Sequence, residues 1–200
     1  MQSTFDFSER LAMSQGYTVS RDVKDILLAA IPGSQSIEKA SQSFDRMGVD
    51  WWVVMGDGHK LAVDAKIREE DWASKHPDED DLALETWSVI ENQVVGWTRN
   101  PSKRCDYILW LWQDTGRHCL LPFPMLCSVF GQNWEDWTSR FKTRRQRTPW
   151  GGGQYHSECV FVPRRIVWRE IYQRYSGQLT TRLTSNGKSE GAELGQLHLL

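Results

Sequence analysis

Val49-Asp50-Trp51-Trp52-Val53-Val54-Met55-Gly56-Asp57-Gly58-His59-Lys60-Leu61-Ala62-Val63-Asp64-Ala65-Lys66 is two apolar runs around Gly-Asp-Gly, the pattern of a β-hairpin. Its register decides what the segment can do. With Gly56, Asp57 and Gly58 as a three-residue loop, Met55 lies across from His59, Trp51 from Val63 and Asp50 from Asp64. One face then carries Val49, Trp51, Val53, Met55, His59, Leu61, Val63 and Ala65, apolar but for the histidine. The other carries Asp50, Trp52, Val54, Lys60, Ala62, Asp64 and Lys66. A two-residue Asp57-Gly58 loop would mix acids with apolar residues on both faces. A slip of one residue inverts every side chain, so burial of the apolar face selects the longer loop. That register sets two carboxylates about 5 Å apart at their Cβ atoms, with Lys66 beyond them on the same face.

Two ionised carboxylates that close repel, and each raises the other's pKa unless a cation lies between them. Oxygen ligands of this kind suit Mg²⁺ or Mn²⁺, which keep several waters and take the rest from substrate phosphate. A neighbouring lysine can orient a water, contact a phosphate or, once neutral, accept a proton. Two carboxylates and a lysine on one sheet face therefore suit phosphodiester hydrolysis. The same pattern also describes solvated strand acids beside a lysine.

Asp50, a turn, then Asp64-Ala65-Lys66 resembles the core of the PD-(D/E)XK nuclease superfamily, over roughly residues 18–112. The resemblance implies a restriction-endonuclease-like α/β fold, a central mixed β-sheet flanked by helices. It implies Asp50, Asp64 and the Ala65 carbonyl as ligands of Mg²⁺ (or Mn²⁺), and Lys66 as the residue assisting the attacking water. Val49 stands where the family name has proline, and the pair opens with Asp rather than the commoner Glu. Asp22-Val23-Lys24 is a second D-x-K, on a predicted helix, so the hairpin and not the triplet carries the likeness. Such nucleases often recruit a further acid, and Glu85, a polar residue in the strand-like Leu84–Ile90, is the expected third ligand and catalytic residue. Glu38 is its rival.

The rest of the 200 residues fits around this core. A helix is expected from Arg21 to Ile31, capped by Ser20 and stopped by Pro32-Gly33. Tyr107–Trp112 reads as a strand. Cys119–Pro122 and Cys159–Pro163 read as short strands, each ending at a proline suited to a helix start. Glu69–Asp81 is a long acidic loop or helix. Residues 1–175 are expected to form one domain, with a basic helical C-terminal part, and 176–200 a loose tail that docks through Leu194, Leu197, Leu199 and Leu200.

The formal charge of −2 hides a division. Residues 1–100 carry 18 acidic and 10 basic side chains, while 139–175 carry nine basic against two acidic. In that basic part, Arg140, Lys142, Arg144, Arg145 and Arg147 suit a phosphate-tracking surface, with Phe141 and Trp150 able to stack on bases. Arg164, Arg165 and Arg169 would extend it. Thr148–Gly153 reads as a loop that could close over nucleic acid, without the Lys-Ser/Thr ending of a P-loop. Four scattered cysteines, with no C-x₂-C pair, read as reduced buried thiols rather than a disulfide scaffold or a zinc site. Trp134 and Trp137, beside Phe130 and Phe141, read as a helix core stripe. No apolar run approaches the roughly 20 residues a membrane span needs, and the N-terminus lacks a signal-peptide pattern, so a cytoplasmic location is expected.

Together these features predict a metal-dependent DNA nuclease. The alternative is a catalytically inactive protein of the same fold that binds nucleic acid or a protein partner, as a phage or mobile-element inhibitor would. DNA is the expected partner, a homodimer is allowed for, and no membrane contact is expected.

Overall fold

Burial of alternate residues sets the hairpin in the expected register. In the computed structural model, which describes residues 21–45, 47–150 and 153–185, β2 (Trp51–Met55) pairs with β3 (Lys60–Arg68), Trp51 opposite Val63 and Val53 opposite Leu61. The Met55 amide donates to the His59 carbonyl at 2.8 Å and the Gly58 amide to the Met55 carbonyl at 2.9 Å, closing the three-residue loop. Gly58 turns the chain at φ 83°, a left-handed conformation that a side chain would strain. The His59 amide donates to Asp57 Oδ1.

Around this hairpin a five-stranded mixed sheet forms in the order β1-β2-β3-β6-β7. Strand β1 (Ser34–Lys39) lies antiparallel to β2, β6 (Tyr107–Trp112) parallel to β3, and β7 (His118–Pro122) antiparallel to β6. Parallel pairing of β3 and β6 buries β6 on both faces, which is why Tyr-Ile-Leu-Trp-Leu-Trp is apolar throughout. Helix α1 (Arg21–Ala30) covers one face, its Val23 and Leu27, with the following Ile31, packing on Trp51, Val53, Val63, Ala65, Leu109 and Leu111. Ser20, its expected cap, lies outside the described residues. Short helix α2 (Gln42–Asp45) precedes β2. Against the other face, Ile108, Trp110, Trp112 and Leu121 meet Leu126, Phe130 and Trp137 of helix α4 (Phe123–Arg140). The tryptophan stripe thus packs in the core as the spacing implies.

The connection from β3 to β6 carries short helix α3 (Trp72–Lys75), a 3₁₀ turn (Pro77–Glu79), β4 (Asp81–Val89), β5 (Val94–Val95) and a second 3₁₀ turn (Trp97–Arg99). With β8 (Thr143–Trp150) and β9 (Gly153–Pro163), β4 and β5 form a second sheet in the order β5-β4-β9-β8. Helix α5 (Arg164–Ser185) follows β9.

The protein is therefore α/β, with a mixed sheet and flanking helices, but three expectations need correction. The strands form two sheets rather than one central sheet, because β4 pairs with β9 and not with the hairpin. The basic run is not helical beyond Arg140: Thr143–Trp150 is an edge strand, including Thr148–Trp150, which read as loop. Its side chains are solvent-exposed except Thr148 and Trp150, of which Thr148 is buried and Trp150's side chain is not described. It therefore lacks the apolar alternation that marks a half-buried strand, and its charges suit an edge that must not pair with another chain. Helix α5 runs past Ser176 to Ser185, into the expected tail; Leu194, Leu197, Leu199 and Leu200, like Gly151 and Gly152, lie outside the described residues. Among the described residues no helix is long and apolar enough to cross a membrane.

Candidate metal centre

Asp50 sits where the chain enters β2. Its amide donates to the Val63 carbonyl at 2.9 Å and its carbonyl accepts the Ala40 amide at 2.9 Å, fixing the backbone between β1 and β3. The carboxylate reaches across to β3, where Oδ2 accepts the Ala65 amide at 2.8 Å. Asp64, 4% exposed, points from β3 to the same side. The Lys66 ammonium lies 2.9 Å from Asp64 Oδ1 and 2.8 Å from Oδ2. Asp50, Asp64, Ala65 and Lys66 thus come together as the register implied.

This cluster is short of positive charge. Burial, followed by the charge of Asp64, pushes Asp50 up to about 7, and the Ala65 amide and the Lys66 charge only partly offset that. Burial works against the Lys66 ammonium, yet the charge and hydrogen bond of Asp64, then the charge of Asp50, outweigh it and hold the pKa above its ordinary value. Lys66 is therefore a cation in this arrangement and not a base. Beneath the acids, burial and then the Asp64 charge push the Cys105 thiol up to about 12, so it stays neutral.

A hard divalent cation fits this donor set. The crowding that keeps a proton on the Asp50–Asp64 pair near neutral pH is relieved equally by a cation between them. No group of three or more His, Cys, Asp or Glu suited to a metal occurs among the described residues. The chain then offers two carboxylates and the main-chain oxygen of Ala65, a set for an ion that keeps several waters.

Neither candidate third acid joins the pair. Glu85 lies on β4 of the second sheet, where Oε2 accepts the Trp97 amide at 2.8 Å and the Ser88 hydroxyl at 2.7 Å. Glu38 lies opposite Trp52 and holds Lys60 at 2.5 Å on the exposed surface. Trp97 is the site residue that sequence reasoning missed: its ring lies 5.1 Å from Lys66 Nζ. The one local signal is Gly96 before it, where a Cβ would come 2.2 Å from the Glu85 carbonyl oxygen.

The basic run divides by strand register. Arg144 lies opposite Cys159, which lies opposite Glu85, so all three share one face of the second sheet. Burial and the Glu85 charge push the Cys159 thiol up to about 12, while the charges of Arg68 and Lys66 pull against them. Cys159 on that face is therefore within electrostatic reach of Lys66. Arg144 also lies over the Phe161 ring at 5.7 Å, and Lys142 precedes it, its carbonyl accepting the Phe161 amide. Arg145 and Arg147 alternate to the opposite face, and Arg145 Nε donates to Glu158 Oε2 at 3.0 Å. Arg140 pairs within its helix with Asp136 at 2.7 Å. Compared with known proteins, the chain matches no family model, no curated protein and no solved structure.

Proposed function

We propose that this protein is a metal-dependent nuclease that hydrolyses phosphodiester bonds in DNA. One observation carries the reading: carboxylates from adjoining strands, Asp50 and Asp64, crowd together with the Lys66 ammonium against them. Asp50, Asp64 and the Ala65 carbonyl would hold Mg²⁺ or Mn²⁺. Bound there, the ion supplies Lewis-acid stabilisation of phosphoryl charge and a water of lowered pKa. Asp50, anchored on the Ala65 amide, presents its remaining oxygen without a rotamer search. Lys66, held protonated by Asp64, orients the scissile phosphate and offsets charge that builds on its oxygens. Proton removal from the attacking water falls to the Asp50–Asp64 pair or to solvent, since Lys66 has no free lone pair here. The Lys142–Arg144 side of β8 tracks the backbone of the bound strand.

A binding protein without catalysis is favoured by one feature, the Lys66 ammonium close to both Asp64 oxygens. Incubation with plasmid and linear DNA in Mg²⁺, in Mn²⁺ and in chelator separates the two. Metal-dependent nicking or shortening is the expected result; retained binding with no products in either metal overturns the nuclease reading.

A further inference from the structure

The 3₁₀ turn Trp97–Arg99 is pinned at both ends. At its start the Trp97 amide donates to Glu85 Oε2 and the Gly96 amide to the Thr86 carbonyl at 3.0 Å, while the Glu85 amide donates to Thr98 Oγ1 at 3.0 Å. Gly96 permits this approach, since any Cβ there would strike the Glu85 backbone. At its end the Arg99 guanidinium lies 3.8 Å from the Trp134 ring centre and 4.8 Å from that of Trp87. The Trp97 ring packs against Trp110 at 6.0 Å and Phe123 at 6.4 Å between ring centres. Lys66 Nζ lies over the same ring, 5.1 Å from its centre. A carboxylate in the second sheet thus fixes a ring that borders the ammonium of the first.

We infer that Glu85 and Trp97 are positioning residues: Glu85 fixes the Trp97 ring, and the ring holds the Lys66 ammonium against Asp64 by a cation–π contact. This deepens the nuclease reading and rests on it for its effect on rate. An ammonium on a four-carbon stem samples many rotamers. Contact with both the ring and the Asp64 carboxylate narrows that choice. The contact replaces Glu85 as metal ligand with Glu85 as anchor, and the two roles respond oppositely to loss of charge. Glutamine keeps an oxygen that accepts the Trp97 amide, whereas it is a poor substitute for a carboxylate on a hard cation.

The test uses the full chain with Trp97→Phe, Trp97→Leu, Glu85→Gln and Glu85→Ala. The first readout is the carbon and proton shift of the Lys66 ε-methylene in ¹³C-lysine protein, assigned with Lys66→Arg. In the native protein it should show an upfield ring-current shift, lost in Trp97→Leu, reduced in Glu85→Ala and retained in Glu85→Gln. The second readout is Mg²⁺-dependent plasmid cleavage. Trp97→Leu and Glu85→Ala should each lower kcat about five- to tenfold with little change in KM, the size of one cation–π contact. Glu85→Gln and Trp97→Phe should restore most of that activity. An unmoved Lys66 signal in Trp97→Leu overturns the proposal, as does a Glu85→Gln protein no better than Glu85→Ala. If Trp97→Leu fails to fold, Glu85→Ala and Trp97→Phe carry the same comparison. Should the native protein cleave nothing, the nuclease reading fails, and the Lys66 shifts still decide whether the bracket exists.

Discussion

Two clusters of acids in this protein, each with one buried member, have opposite electrostatics. In the first, Asp50 and Asp64 share Lys66, and Asp50 is pushed up to about 7. In the second, Arg117 reaches Asp71 with Nε and a terminal nitrogen, both at 2.6 Å, and Asp80 at 2.7 Å, while Arg164 meets Asp80 from the start of α5 at 2.7 Å. Thr115 adds a hydroxyl to Asp71, and the Arg117 guanidinium stacks 3.9 Å over Trp112. The Arg117 hydrogen bond holds Asp71 below the usual carboxylate range; Asp80 is held low too, because the Arg164 and Arg117 bonds outweigh its burial. The second cluster is saturated: two carboxylates meet two guanidiniums, and the result ties the β6–β7 turn, α5 and the β3–β4 connection together. The first is left short of cation, which a structural ion pair would not be. Charge imbalance in a held geometry, more than the presence of acids, separates a site that could take a ligand from a brace.

The largest effect expected from breaking this contrast is on cleavage. Asp64→Ala should reduce metal-dependent cleavage below detection while leaving DNA affinity equal or higher, because a repulsive carboxylate has gone. Cleavage within tenfold of the native protein would remove Asp64 from the site. Arg117→Ala should leave cleavage per folded molecule unchanged, since the brace touches no site residue.

Stability against pH gives the next largest effect, and the two clusters act in different windows. Asp50 has a folded pKa of about 7 against an unfolded value near 4. Between those values the folded state binds more protons, so in chelator stability falls as pH rises from about 4 to 7, on the order of 4 kcal/mol in all. Asp71 and Asp80 are depressed in the folded state, so their contribution is present above the unfolded pKa and lost as pH falls through the acid range. Chemical denaturation in chelator across pH 3–8 should therefore peak near pH 4–5. Asp50→Asn should flatten the alkaline limb alone, and a native alkaline limb that is already flat would refute the crowding of the acid pair. Smaller again, Arg117→Ala should cost about 2–3 kcal/mol at pH 7, because it strands the buried Asp71 carboxylate. A destabilisation under about 0.5 kcal/mol, the size of an exposed ion pair, would show that the brace holds nothing together.

How far these clusters were legible in the sequence follows from the range of the interactions that build them. The acid pair and Lys66 lie on one hairpin, where an apolar face permits a single register, so Asp50, Asp64 and Lys66 could be placed from local pattern. Helix α1 and strands β6 and β7 were legible for the same reason. Glu85 was not. Its strand carries an ordinary alternation, and the partner that decides its sheet, β9, is far along the chain. Strand β8 was hidden because both of its faces meet water, so polar residues follow one another with no period. Trp97 had no local signature beyond the glycine before it, since its contact with Lys66 arises only when the crossover folds back. The brace was invisible too: Asp71 and Asp80 come from the β3–β4 connection, Arg117 from the β6–β7 turn and Arg164 from the start of α5, and they share no motif.

The smallest expected effect tests the division of the basic run, which the sequence presented as one patch. Removing one side chain that neutralises a phosphate should lower the slope of log affinity against log salt by about 1. Arg144 shares the Glu85–Cys159 face, whereas Arg145 lies on the other face and is tied to Glu158. Arg144→Ala should therefore reduce the slope by about 1, measured by fluorescence anisotropy on a labelled duplex in chelator across a potassium chloride series. Arg145→Ala should change it by much less, because its guanidinium already has a carboxylate partner and releases fewer counterions on binding. Equal slopes for the two variants would mean that DNA crosses the edge of β8 rather than running along the face that carries Arg144, and the proposed substrate path would have to be redrawn while the proposed metal ligands stayed as they are.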